Sequence, residues 1–84
     1  MKAIQSGSYK AAQLLLVELR KSSELTQAEL AKSIGVDQSF ISKVERGERR
    51  LDIVEFIFYC NSLKVSPSEA IETLQQKIGG ANCG

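Results

Sequence analysis

The chain has 84 residues, room for one small domain, and a domain of that size must build a compact core and hides no second lobe. An apolar share of 43% and a charged share of 25% are those of a folded globular protein rather than a disordered tail, and the net charge of +1 announces no polyanionic partner by itself. Histidine is absent, which removes imidazole general-base chemistry and the commonest metal ligand.

Apolar residues recur at helical spacing, and no stretch alternates as a strand would. Ala12, Leu15, Leu16 and Leu19 share one face of a first helix, over about Tyr9 to Ser22. Thr26-Gln27-Ala28-Glu29 is a capping box that opens a second helix, with Leu30, Ala31 and Ile34 turned inward and Gly35 as its stop. Asp37 is the N-cap of a short third helix, in which Ile41 and Val44 face inward and Gly47 ends the element. Asp52 and Glu55 form the second capping pair and open a fourth helix to about Leu63. Ser66-Pro67-Ser68-Glu69 supplies a cap, a proline at the first helical position and a glutamate at the third. The fifth helix carries Ala70, Ile71, Leu74 and Ile78 on one side and is expected to stop at Gly79-Gly80. The fold class is therefore all-α, a bundle of five helices, with residues 1–8 as an N-terminal extension, 9–78 as the domain and 79–84 as a flexible tail.

Cys60 lies in an apolar run and Cys83 in the glycine-rich ending, too few and too far apart for a zinc site. Cys60 reads as a small core residue in a reducing, cytoplasmic setting, and a Cys60–Cys83 disulfide is the alternative. Apolar runs such as 14–17 and 56–60 are far too short to cross a bilayer, and no secretory signal opens the chain. Without histidine, paired carboxylates or a phosphate-binding glycine loop, an enzyme is not expected, and neither is a cofactor or metal.

Residues 26–47 carry the functional signal. Two short helices joined by a break of about four residues centred on Gly35 have the layout of a helix-turn-helix. Ala31 allows a close crossing, and Gly35 supplies the positive φ that a sharp corner demands. A plain αα-hairpin explains the apolar residues equally well but leaves the outer face unexplained. There the third helix presents Gln38, Ser39, Ser42 and Lys43, followed by Arg46 and, in the loop, Arg49 and Arg50. Gln and Lys match adenine and guanine edges in a major groove, Ser matches either, and arginines suit phosphates. Gln27, at the first turn of the second helix, stands where a backbone phosphate would sit.

With these residues in view, the stretch from about Leu16 to Ile71 resembles the phage repressor/Cro-type (XRE-like) helix-turn-helix family. Arg20, Gln27, Leu30-Ala31, Gly35-Val36, Ile41-Ser42, Val44 to Gly47, Leu63 and Val65 to Glu69 carry the likeness. The resemblance implies a five-helix, repressor-like DNA-binding domain in a sequence-specific transcriptional regulator, usually dimeric. It implies base contacts from Gln38, Ser39, Ser42 and Lys43 and backbone contacts from Gln27 and Arg46. It also implies a partly buried ion pair between Arg20 and Glu45. In the family pattern Ile53, Phe56, Ile57, Cys60 and Leu63 are core. Lys64 departs from the pattern, standing where relatives often close the fourth helix with glycine, so either a left-handed cap there is slightly strained or the helix ends differently.

Charge is unevenly placed. Residues 1–50 hold nine Lys/Arg against six Asp/Glu, and residues 51–84 hold two against four, so the basic excess lies with the reading head. The fourth helix is apolar nearly all round, and such a helix is covered on both sides. Val54 and Phe58, together with Tyr59, are the candidate interface with a second copy, and a cover by residues 1–8 or the fifth helix is the alternative. A two-fold dimer sets its recognition helices about 34 Å apart, one turn of B-DNA, which calls for an approximately palindromic double-stranded operator and favours repression. The competing expectation on the same fold is a protein-interaction module, such as an antitoxin with a protein partner.

Overall fold

The computed structural model describes residues 7–82, with side chains through Gly79. Its described residues form five helices and no strand: α1 (Gly7–Ser22), α2 (Gln27–Ile34), α3 (Gln38–Glu45), α4 (Ile53–Leu63) and α5 (Pro67–Asn82). The all-α, five-helix expectation holds. Two ends differ from it. α1 begins at Gly7, so Gly7 and Ser8 belong to the helix rather than to an extension. α5 runs through Gly79-Gly80 to Asn82, because each glycine costs a helix only about 1 kcal/mol relative to alanine and does not forbid it. The rest of the expected extension and tail (1–6 and 83–84, Cys83 included) lies outside the described residues.

Local chemistry sets most boundaries. Thr26 Oγ1 accepts from the Glu29 amide at 3.0 Å while Glu29 Oε1 accepts from the Thr26 amide at 2.8 Å. Asp52 and Glu55 make the same reciprocal pair at 2.8 and 2.9 Å. Ser66 Oγ accepts from the Glu69 amide at 3.3 Å. Asp37 occupies the N-cap of α3 with extended backbone, but its carboxylate makes no capping bond; only its carbonyl accepts, from the Phe40 amide. Lys64 does close α4 in the left-handed region, at φ 61°, a conformation that costs a side-chain-bearing residue about 1–2 kcal/mol.

The core joins Leu16 of α1, Leu30 and Ala31 of α2, Ile41 and Val44 of α3, and Tyr59 and Leu63 of α4. Burying such side chains contributes about 1.5–3 kcal/mol each, and here it fixes α2 against both α3 and α4, and α3 against α1. α5 packs on α1 and α4. On α4 the inward stripe is Phe56, Tyr59, Cys60 and Leu63, spaced i, i+3, i+4 and i+7. Tyr59 is wholly buried, which corrects its assignment to a partner interface. Ile53 and Ile57, expected in the core, are instead 77% and 42% exposed. A helix without a polar side gives its sequence no mark of which stripe turns inward, and the large Tyr59 ring takes the centre. Cys60 is also fully buried, and burial pushes its thiol pKa up. On α5, Ala70 is buried and Leu74 and Ile78 are half-buried, while Ile71 is turned to solvent.

Candidate nucleic-acid interface

The corner between α2 and α3 is built as its residues dictate. Gly35 takes φ +93° and donates its amide to Ala31 O at 2.8 Å. Val36 donates to the same carbonyl at 3.0 Å, so both amides close on one turn and the chain leaves sharply. Ala31, 3% exposed, lets α3 approach. With Leu30, Ile41 and Val44 fully buried behind it, the angle between the helices is set by packing.

Gln38, Ser39 and Lys43 stand exposed on the outer face of α3. Ser39 and Lys43 line one shallow recess with Phe40 and Arg49. Phe40 is half-buried and packs on the core. Ser42, expected to contact bases, is half-buried and bonded: its Oγ donates to Gln27 Oε1 at 2.9 Å. Gln27 Nε2 in turn donates to Glu45 Oε1 at 2.9 Å. Glu45 receives Arg20 in a fork, Nε to Oε2 at 2.6 Å and Nη2 to Oε1 at 3.0 Å. Arg20 Nη1 donates to Leu25 O at 2.8 Å, tying the α1–α2 turn into the same network. The two charged side chains are only 12% and 7% exposed. The Glu45 carboxylate, through that bond, raises the Arg20 pKa against the opposing effect of burial. A pair desolvated this far costs about 3–5 kcal/mol when one partner is removed, because a buried charge is left alone.

The other three arginines are engaged inside the protein. Arg46 pairs with Glu48 at 2.9 Å, both well exposed, and holds that carboxyl below its ordinary range. A pair so solvated stabilises little and exchanges readily for another anion. Arg49 binds Glu55 through both nitrogens at 2.9 Å and lies 4.3 Å from the Phe40 ring centre. Arg50, the other loop arginine, is exposed. Its guanidinium stacks 4.4 Å from the Tyr9 ring and lines an apolar groove between α1, α4 and α5, apart from the recess that holds Lys43.

Two residues of this construction escaped the sequence reading. Gln13 Nε2 donates to Glu45 O at 2.7 Å, securing the C-terminal end of α3 to α1. Its signal is register: Gln13, Leu16 and Arg20 fall on one face of α1. Ser23 Oγ lies 2.9 Å from Leu19 O and 3.1 Å from Leu63 O, so its one proton is shared between its own helix and a terminal carbonyl of α4; nothing local marks the contact with α4. Among the described residues no cluster is placed to hold a metal ion, and no helix is long and apolar enough to cross a membrane.

On the outer side of α4, Ile53, Val54, Ile57 and Phe58 form one exposed apolar strip, and Val54 and Phe58 are each 55% exposed.

This arrangement has close counterparts. A helix-turn-helix family model matches residues 16–69, more than half of the chain. An XRE-family like protein from Pseudomonas syringae pv. tomato is 39% identical, with a TM-score of 0.84 over 90% of this chain and 93% of its own. The restriction-modification controller protein C.AhdI from Aeromonas hydrophila is 34% identical, with a TM-score of 0.64 over 69% of this chain and 84% of its own. The controller C.Esp1396I, whose structure is that of a tetramer in complex with its natural 35 base-pair operator, is 27% identical, with a TM-score of 0.78 over 87% and 96%. No curated protein matches at a significant level. On its family match, its likeness to the Pseudomonas protein and its own two-helix corner, this chain belongs to the XRE family of helix-turn-helix proteins.

Proposed function

We propose that this chain is a sequence-specific double-stranded DNA-binding transcriptional regulator, which binds an approximately palindromic operator as a homodimer and represses by occluding polymerase. The observation that carries this reading is the α2–α3 corner. Its inner side chains are fully buried, while Gln38, Ser39 and Lys43 project from one exposed face. Such a rigid corner enters a major groove, where Gln and Lys have base edges to match. Gln27, at the first residue of α2, and Arg46, beyond the end of α3, flank that face as phosphate contacts. Arg49 serves a phosphate by exchanging Glu55 for it. The operator complex of the similar controller C.Esp1396I supports a duplex target.

Dimerisation rests on the exposed strip of α4. Ile53, Val54, Ile57 and Phe58 present a contiguous apolar surface of a kind that marks interaction sites. Ile57 replaces the buried Tyr59 in this assignment. The regulator works in the cytoplasm, where its operator lies.

Selection from a random duplex library, followed by fluorescence anisotropy over a salt series, tests the reading. A regulator enriches one operator and loses affinity linearly with log salt, with a slope of several units. Binding that is absent, or equal for the enriched and a scrambled duplex, contradicts it and leaves a protein-interaction module such as an antitoxin.

A further inference from the structure

The polar chain behind the reading face has a direction, and the direction has a consequence for which base is read. Arginine only donates, and a carboxylate paired with it only accepts. Glu45, held by Arg20, therefore requires the nitrogen of the Gln27 amide at its Oε1, where Gln27 Nε2 stands at 2.9 Å. That turns Gln27 Oε1 toward α3. An amide oxygen has no proton to give, so Ser42 must be the donor in the 2.9 Å bond between them. A serine hydroxyl owns one proton and two lone pairs. In mid-helix it commonly gives that proton to the carbonyl four residues earlier; here the proton goes across to α2. What Ser42 has left for a partner outside the protein is lone pairs alone.

We propose that Gln27, set by the Arg20–Glu45 pair, is a positioning residue that makes Ser42 a pure hydrogen-bond acceptor toward the duplex. Ser42 then selects adenine or cytosine, the bases with a major-groove amino group, and rejects guanine and thymine. A free serine reads either kind of edge; this one does not. Gln27 Nε2 has a second proton beyond the one given to Glu45, a donor of a kind that suits a phosphate oxygen. The inference rests on the DNA-binding function proposed above.

The test is selection from a random duplex library by the wild type, Ser42→Ala, Ser42→Thr and Gln27→Met, with circular dichroism melts to verify that each variant is folded. In the wild type one position of each half-site favours adenine or cytosine by roughly 3- to 10-fold, the worth of a single hydrogen bond. Ser42→Ala flattens that position and no other, and Ser42→Thr, which keeps the hydroxyl, retains the preference. Gln27→Met frees the Ser42 hydroxyl to rotate between the carbonyl four residues earlier, which already accepts a helix amide, and a base acceptor, so guanine and thymine become acceptable at the same position while the positions read by Gln38 and Lys43 stay sharp. A merely structural role for Gln27 lowers affinity for all sequences alike and moves no single position. The proposal is overturned if Ser42→Ala flattens nothing, if the flattened position favours guanine or thymine, or if Gln27→Met leaves it as selective as before. A wild type that enriches no sequence instead overturns the DNA-binding function itself, and the polarity argument falls with it.

Discussion

Gln13 of α1 and Gly47, just beyond α3, are fitted to each other: a Cβ built on Gly47 would stand 2.7 Å from Gln13 Oε1. Gln13 cannot easily yield, because its Nε2 is bonded to Glu45 O at 2.7 Å. Gly47 also holds φ +80°. Gly47→Ala therefore meets two penalties, about 1 kcal/mol for the left-handed backbone and about 1 kcal/mol for the displaced Gln13 bond. Gly35→Ala meets only the first, since nothing lies within 4 Å of its Cβ position. Urea denaturation should show Gly47→Ala as the costlier change by about 1 kcal/mol, and in a Gln13→Ala background the two glycines should become equivalent.

Lys64 is a standing strain that can be relieved. It caps α4 at φ 61°, donating its amide to Asn61 O while Val65 donates to Cys60 O, an arrangement suited to glycine. Lys64→Gly should raise stability by about 0.5–1 kcal/mol, the left-handed penalty less the greater freedom of glycine in the unfolded chain. A lower urea midpoint would show that the Lys64 side chain contributes more than its backbone costs.

Acid sensitivity follows chiefly from Glu55, since the well-exposed Glu48 pair contributes little. Arg49 and the Asp52 amide hold the Glu55 carboxyl below its ordinary value of 4.5, and Arg46 does the same for Glu48. A carboxyl with a depressed folded pKa contributes stability that is complete above its unfolded value and is lost as pH falls through the folded one. The urea midpoint should thus be steady above about pH 5 and drop below about pH 4.5. Glu55→Gln should make that drop shallower and weaken stability at neutral pH, where the ionised pair is formed.

The apolar strip on α4 predicts oligomeric state. Phe58→Glu places a charge where a second copy would lie, and Phe58 is 55% exposed in the protomer, so the fold survives the change. Light scattering should find the wild type at twice the chain mass and Phe58→Glu at the chain mass, with unchanged helical circular dichroism. Equal masses would remove the dimer from the account.

What the sequence disclosed, and what it did not, divides by range. Thr26 with Glu29 and Asp52 with Glu55 were legible because a capping box is a contact over three residues. Gly35 was legible because one backbone geometry admits few residue types. The inward face of α4 was legible only in part: Phe56, Cys60 and Leu63 face inward and Val54 and Phe58 outward as expected, but Ile53, Ile57 and Tyr59 are all apolar enough for either side, and only the rest of the core chooses between them. The α2–α3 corner and its exposed Gln38, Ser39 and Lys43 could be read from spacing. The partners of Ser42, Arg49 and Arg50 lie 15, 6 and 41 residues away, at Gln27, Glu55 and Tyr9, and such pairings exist only after folding. Asp37 shows the limit even of local signals, since it holds the cap position without making the cap bond.

The central claim is that the exposed side chains of α3 read a duplex, and the most direct measurement is anisotropy of Gln38→Ala and Lys43→Ala against the duplex that the wild type enriches. Each change should weaken specific binding by about 1–3 kcal/mol and relax the preference at one position, while binding to scrambled duplex changes far less. If both variants bind that duplex as tightly and as selectively as the wild type, α3 is not the reading element.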